Sequence, residues 1–203
     1  LVSLQDIMLA VNPKVPASNL QELIAYAKAH PGKLNYGSSG AGSAPHLAAE
    51  LFKSMAGIDM VHVPYKGSAE SMNATLGGQV DLTFFAFSSA LPNAKAGKLR
   101  PIAVGGRKRN PALANAPSIS EALPGYLATS WTAMVAPPGT PPAIAQKLQQ
   151  AMAEVVKMPD VQGRMIDAGD EVFEATPAQM QDFLKQETQR WGNLIKSAGI
   201  TAQ

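Results

Sequence analysis

The sequence predicts an α/β fold: a mostly parallel sheet with helices through residue 104, then a region that is mostly helix. Three observations predict it. Short apolar runs alternate with helix-period segments from Asp6 to Val104, joined by short connections. A breaker-rich passage, RKRNPALANAPSISEALPG, interrupts that alternation and ends at Gly125. Beyond Pro137-Pro138-Gly139 the helical pattern dominates, with little strand to cover.

Each element follows from local chemistry. Asp6 to Val11, DIMLAV, is a short apolar run ended by NPKVP, so it reads as a buried strand leaving into a loop. Ser18 then starts a helix, with Gln21 at capping-box spacing and Leu20, Leu23, Ile24 and Ala27 on one face until Pro31-Gly32. Leu34 to Gly37 is the next strand. Leu47, Leu51 and Met55 give the following helix its buried stripe, and Gly57 ends it. Strands are expected at Met60–Val63, Val80–Phe87 and Leu99–Val104, with helices at Ser68–Leu76 and Leu91–Ala96 between them. Tyr126 to Ala136 reads as a long strand. Thr140 is the expected cap of a helix with Pro141 at its first position, running to about Lys157. A helix at Pro159–Ala168, a short strand around Val172 and a last helix from Thr176-Pro177 to Ala198 complete the chain. The chain crosses between lobes near Val11 and Tyr126. The long helices of the tail need an apolar partner surface that the chain itself does not supply, which points to a missing part of the first lobe.

Composition removes several function classes. The chain has 203 residues, 46% apolar and 16% charged, a globular balance rather than a disordered or fibrous one. Its net charge of +2 is too small for a nucleic-acid footprint, and only Arg107, Lys108 and Arg109 cluster. With no cysteine there is no disulfide, thiolate metal site or Cys nucleophile. The three histidines, His30, His46 and His62, match no metal-ligand spacing, so neither a metal nor a cofactor is expected. No apolar run reaches the ~18 residues that span a bilayer. The first residues show no basic-then-apolar signal pattern, so either a leader has been removed or the chain begins internally.

The candidate site is KLNYGSSGAGSAPHLAAELF, Lys33 to Phe52, where a strand meets a small-residue loop and then a helix. Ser38, Ser39, Gly40, Ala41, Gly42 and Ser43 form the loop, and Pro45 lies in the first helical turn. A helix N-terminus carries roughly half a positive charge and free N–H donors, so an anion fits there without a lysine. Three enzyme templates miss. A P-loop needs Lys-Ser/Thr where Ser43-Ala44 stand, the dinucleotide fingerprint needs a glycine at Pro45, and a serine-hydrolase elbow needs one at Ala41. A carboxylate, which needs less charge compensation than a phosphate, is the expected anion. His46, in the first turn of the helix, is a candidate to face it, whereas His62 reads as a satisfied buried or edge residue. Tyr65 and Lys66, in VPYKG, lie at the carboxyl end of a strand, where open α/β sheets bind ligands. Ser88, with Ser89, adds donors at the same edge. Phe84, Phe85 and Phe87 read as core, with one of them alternating outward to wall a pocket. Asp81 reads as a cap or turn residue, and Trp131 as packing at a hinge. This inventory holds an anion and contains no pair of carboxylates, metal cluster or activated nucleophile to transform one, so no catalytic residue is assigned.

Four stretches carry a family resemblance. PGKLNYGSSGAGSAPHLAAELFKSMAGIDMVHVPYKGSAESMNATLGGQVDL, LPNAKAGKLRPIAV, SWTAMVAPPGTP and RWGNLIKSAGI occur in order and cover essentially the whole chain. They resemble the Bug family, the tripartite tricarboxylate transporter solute receptors also called TctC. The resemblance implies a two-lobed, type II periplasmic binding fold, with lobe two complete over 12–125. The crossing strands and part of lobe one would lie in 1–11 and 126–203. It implies an extracytoplasmic, periplasmic receptor, not an enzyme, that captures a di- or tricarboxylate, an acidic amino acid or an aromatic acid. Its partners would be that carboxylate and the permease subunits in the membrane. YGSSGAGSAPH would be the anion cradle of lobe two and VPYKG a neighbouring contact. Where similar proteins often carry an aspartate, this chain has Phe85, which favours a less polar or purely carboxylic solute over one with an amine. Family members carry an upstream segment for the first strands of lobe one, so weak ligand affinity is expected of a chain that lacks it. The alternative is an effector-sensing domain of a transcription regulator with the same two lobes. It would have a DNA-binding helix pair upstream instead, and the upstream reading frame discriminates. An enzyme acting on phosphorylated substrates is a third reading, and the absent lysine argues against it.

Overall fold

Strand β1 (Ser3–Val11) organises the chain in this computed structural model, which describes residues 3–172 and 175–201. Its second half, Ile7 to Val11, pairs antiparallel with β4 (Leu82–Ala86) on one side and β5 (Arg100–Val104) on the other. Its first half, Ser3 to Asp6, pairs instead with β6 (Thr129–Thr132) and β7 (Asp170–Val172). One strand therefore belongs to two sheet regions. The larger region continues from β4 to β2 (Asn35–Ser38) and β3 (Val61–Pro64), both in parallel pairing, in the order β3-β2-β4-β1-β5. Four of its strands thus run one way, and β1 alone is reversed.

Apolar runs are continuous here because both faces of the sheet are covered. Ile7, Leu9 and Val11 enter one core with Leu20, Leu23, Tyr36, Phe52 and Phe84. Met8 and Ala10 enter a second core with Phe85, Phe87, Leu91 and Leu99. Helices α1 (Leu20–Ala29) and α2 (Ala44–Ala56) supply the first core. Side chains of α3 (Ser68–Gly77) and α4 (Phe87–Lys95) cover the second. Two faces, rather than one, also settle the phenylalanines. Phe84, Phe85 and Phe87 are all buried, so none of them walls an open pocket as the alternation had suggested.

Local signals hold with small shifts. The α1 cap is Asn19 rather than Ser18: its side chain accepts from Glu22 N–H at 2.9 Å, and the Glu22 carboxylate accepts from Ser18 N–H at 2.7 Å. The charged carboxylate is the stronger acceptor, so Glu22 takes the place expected of Gln21. Asp81 ties strand starts together, its carboxylate accepting from Asn35 N–H at 2.9 Å.

The long strand expected from Tyr126 to Ala136 shrinks to Thr129–Thr132. Its late start has a competing partner: Gly105 N–H donates to Ile7 C=O at 2.7 Å and Gly105 C=O accepts from Ala128 N–H at 2.9 Å, so pairing with β1 begins at Thr129, opposite Asp6. Tyr126 is instead buried in the first core, donating its hydroxyl to Ala48 C=O at 3.0 Å. Helix α5 (Pro142–Val155) begins one residue late, with Pro141 as its cap, and the Thr140 hydroxyl donates to Pro137 C=O at 2.8 Å instead of capping it. Helix α6 (Pro159–Asp167) leads into β7. Helix α7 (Pro177–Ser197) starts where its sequence predicts, and it does so on a full capping box between Thr176 and Gln179. It returns to the larger region, where Trp191 packs on the first core and Arg190 donates to Leu127 C=O at 2.5 Å. Trp131, in β6, meets Phe183 of α7 edge-on.

Candidate functional site

The carboxyl ends of β2, β3 and β4 meet at one edge of the larger sheet region, and the loop from Ser39 to Ser43 rises from it into α2. Two glycines dictate the loop's path. Gly40 (φ 121°) and Gly42 (φ 74°) both occupy the left-handed half of backbone space that other residues avoid. Gly37 is needed for a different reason, since a Cβ there would sit 2.6 Å from Ser71 Oγ.

A donor census shows what the loop has left to offer. Gly40 N–H donates to Ser38 Oγ at 3.1 Å, Gly42 N–H to His46 Nδ1 at 3.0 Å, and Ser43 N–H to Gly40 C=O at 3.2 Å. The Ser43 hydroxyl also donates to Gly40 C=O, at 2.7 Å. Among the described residues, the N–H groups of Ser39, Ala41 and Ala44 have no hydrogen-bond partner. Ala44 opens α2, so its N–H adds the dipole of a 13-residue helix.

Beneath the loop lies a stack of rings. His46 and His62 are parallel with centroids 3.9 Å apart, and His62 lies 4.9 Å from Tyr36. His62 Nε2 is 2.6 Å from Ser38 Oγ. The Tyr36 hydroxyl donates to Glu50 Oε1 at 2.5 Å, and Lys53 Nζ donates to the same oxygen at 2.9 Å. Burial, reinforced by Glu50, pushes the Tyr36 phenol far above its usual range. Burial pushes Glu50 up, but the bonds from Tyr36 and Lys53 outweigh it and hold the carboxyl below its ordinary value. Burial lowers both histidines, and His62 falls to about 4 with His46 beside it.

The predicted residues therefore separate by position. Ser38 and His46 are buried, with Ser38 Oγ and His46 Nδ1 already engaged by the loop. Ser39, Gly40, Ala41, Gly42 and Ser43 form its surface. Tyr65 sits beside them, its N–H donating to Ser38 C=O at 3.0 Å. Lys66 is exposed one residue on, and its backbone N–H donates to Glu70 at 3.1 Å. Ser88 is exposed in the first turn of α4, at the same edge. Sequence reasoning passes over Tyr36, Glu50 and Lys53. The signal for the last two is the spacing of His46, Glu50 and Lys53 along one helix face. His62 is legible only through the parallel register that sets it beside Tyr36.

A cavity of about 220 Å³ opens next to the first turn of α2, lined by Ile7, Ala44, Leu47, Thr129, Ser130, Trp131 and Trp191. It combines two indole rings with two hydroxyl groups and holds no charged side chain. Thr129 and Ser130 are also absent from the sequence-based candidates, because only the pairing of β6 with β1 brings them there. Among the described residues no cluster of three or more metal-ligating side chains occurs, and no helix is long and apolar enough to cross a membrane.

The sequence pattern of the tripartite tricarboxylate transporter family receptor, TctC, matches residues 2–200. The chain belongs to that family. This TctC chain is 35% identical over 192 residues to the UPF0065 protein in the gbd 5' region of Cupriavidus necator, covering 95% of itself and 58% of that relative. It superposes with a TM-score of 0.91 on Rpa4515 of R. palustris solved with adipate, at 36% identity, over 98% of this chain and 67% of that one. It matches MatC of Rhodopseudomonas palustris with bound malate at 27% identity and a TM-score of 0.83, over 95% of this chain and 67% of the other. The TctC chain thus spans about three fifths of the length of that curated relative. It also superposes on the periplasmic binding protein BugD with a TM-score of 0.87 at 32% identity, over 100% of this chain and 69% of that one. Its fold is therefore that of two-lobed periplasmic binding proteins, and the family is one of receptors, not enzymes.

Proposed function

We propose that this TctC chain carries the anion-gripping lobe of a periplasmic receptor that captures a small carboxylate for a membrane permease. One observation carries the proposal: the unpaired N–H groups of Ser39, Ala41 and Ala44 share one rigid loop at a helix N-terminus. Such a cradle suits a carboxylate, which accepts several N–H bonds at once without needing a full counter-charge. Ser39 and Ser88 hydroxyls, Tyr65 and Lys66 complete the donors at this edge. The uncharged cavity beside Ala44 suits an aliphatic or aromatic body on the acid, and its indoles offer flat apolar walls. Buried Phe85 leaves no carboxylate at its position to pair with an amine. The adipate and malate held by the two neighbours support the same solute class.

In this reading residues 12–125 form lobe two, and 1–11 with 126–203 form crossing strands and part of lobe one. An apolar groove of about 1060 Å³ between α5 and α7 supports a further lobe-one segment packing there. Titration calorimetry with adipate, malate, glutamate, benzoate and inorganic phosphate tests the function. Saturable binding of at least one carboxylate, with none for phosphate, is expected. Phosphate binding tighter than every acid refutes the reading.

A further inference from the structure

We propose that His46 and His62 are positioning residues whose neutral rings hold the carboxylate loop in shape, and that protonating them in acid lets the loop and its ligand go. The proposal rests on the reading of this loop as a carboxylate cradle.

His46 decides the chemistry. Its Nδ1 faces the backbone N–H of Gly42 at 3.0 Å, and a backbone N–H can only donate. Nδ1 must therefore keep its lone pair, which fixes the neutral ring with its proton on Nε2. A second proton would break this bond and set two N–H groups against each other. Gly42 lies between Ala41 and Ser43, so its displacement moves the free N–H of Ala41 directly. His62 supports the opposite shoulder of the loop: its Nε2 lies 2.6 Å from Ser38 Oγ, which accepts from Gly40 N–H and donates its one proton to Gly40 C=O at 3.1 Å. Nε2–H is therefore the donor, and a second proton on Nδ1 acts through the stacked His46 rather than through this bond. The two rings stack at 3.9 Å, so two charges there would repel at close range.

The groups facing the pair come from three elements. Glu50 and Lys53 project from α2, Tyr36 from β2, and His62 itself belongs to β3. Glu50 lies 4.0 Å from His46 Nε2 and favours its cation. That pull is blunted because the same oxygen already accepts from Tyr36 and Lys53. Burial, with Lys53, outweighs it and keeps His46 below its ordinary 6.5, while burial and then His46 take His62 to about 4. An unfolded histidine binds its proton at higher pH than these two. Order in the loop is thus fully favoured above pH 6.5, and the advantage is lost as pH falls from 6.5 through about 4.

The test compares the full chain with His46→Asn, whose Oδ1 can still accept from Gly42 but cannot titrate, and His46→Leu, which offers no acceptor. Adipate and malate affinities are measured at pH 7.5 and 5.0. Gly42 and imidazole ¹⁵N resonances are followed through the same range without ligand. The affinity of the natural chain should fall about tenfold more than that of His46→Asn, the ligand's own titration being common to both. At pH 7.5 His46→Leu should bind about tenfold more weakly than His46→Asn. The Gly42 amide should shift in step with protonation of His46. Parallel pH profiles for the natural chain and His46→Asn, or a Gly42 amide indifferent to His46, would overturn the proposal. Absence of binding of adipate, malate, glutamate and benzoate alike, in every form at pH 7.5, refutes ligand release and the carboxylate reading behind it. The Gly42 shift then still decides the positioning role.

Discussion

The two halves of the molecule treat their apolar residues in opposite ways. Around the larger sheet region, Leu9, Leu20, Tyr36, Phe52, Phe84 and Ile119 are fully buried in a closed core. In the tail, Val135 is 82% exposed, Met134 54%, Ile144 52% and Leu148 45%, although α5 and α7 are amphipathic helices and α7 starts on a full capping box. Helix formation is a local matter of capping and periodicity, whereas a core needs a second surface. The tail satisfies the first condition and leaves the second open. The site sits with the closed core, so its loop is rigidly supported from below, while the cavity beside Ala44 is shared with β6 and α7 at the junction.

Paired truncations break or sharpen that contrast. Phe84→Ala removes a ring buried against Phe52 and should cost about 3–5 kcal/mol in urea denaturation. Leu148→Ala on the open face of α5 should change stability by less than about 1 kcal/mol. A cost for Leu148→Ala equal to that for Phe84→Ala would mean that the tail is covered in solution. An effect between these two is expected at the loop. Gly42→Ala forces a Cβ into the left-handed region at a cost of about 1–2 kcal/mol, although open space surrounds that position. Carboxylate affinity should drop with it, as calorimetry can show. An unchanged affinity would indicate that the loop's conformation is not what binds.

How much of this was legible follows the same division between local and distant causes. The order of elements through Val104 was readable, because each strand and helix carries its own pattern and breaker. The small-residue loop before α2 was readable too, since Gly37 to Ser43 is marked by composition. Boundaries slipped where two neighbours compete for one role, as Ser18 and Asn19 do for the α1 cap. The expected long strand at Tyr126–Ala136 starts late because Gly105, distant in sequence, bridges Ile7 and Ala128. His62 looked unremarkable in its strand. Only the pairing of Tyr36 with His62 and the turn of α2 place it under His46. The outward phenylalanine failed for a related reason: alternation means inside and outside only when one face of a sheet is open.

The central claim is that one rigid loop grips a carboxylate through the N–H groups it has not already used. Amide resonances of the ¹⁵N-labelled chain, recorded as adipate and malate are added at pH 7.5, test it most directly. The amides of Ser39, Ala41 and Ala44 should shift most, with those of Gly40, Gly42 and Ser43 moving less because their partners lie within the loop. Shifts confined to the α5–α7 groove, with the loop amides unmoved, would contradict the account.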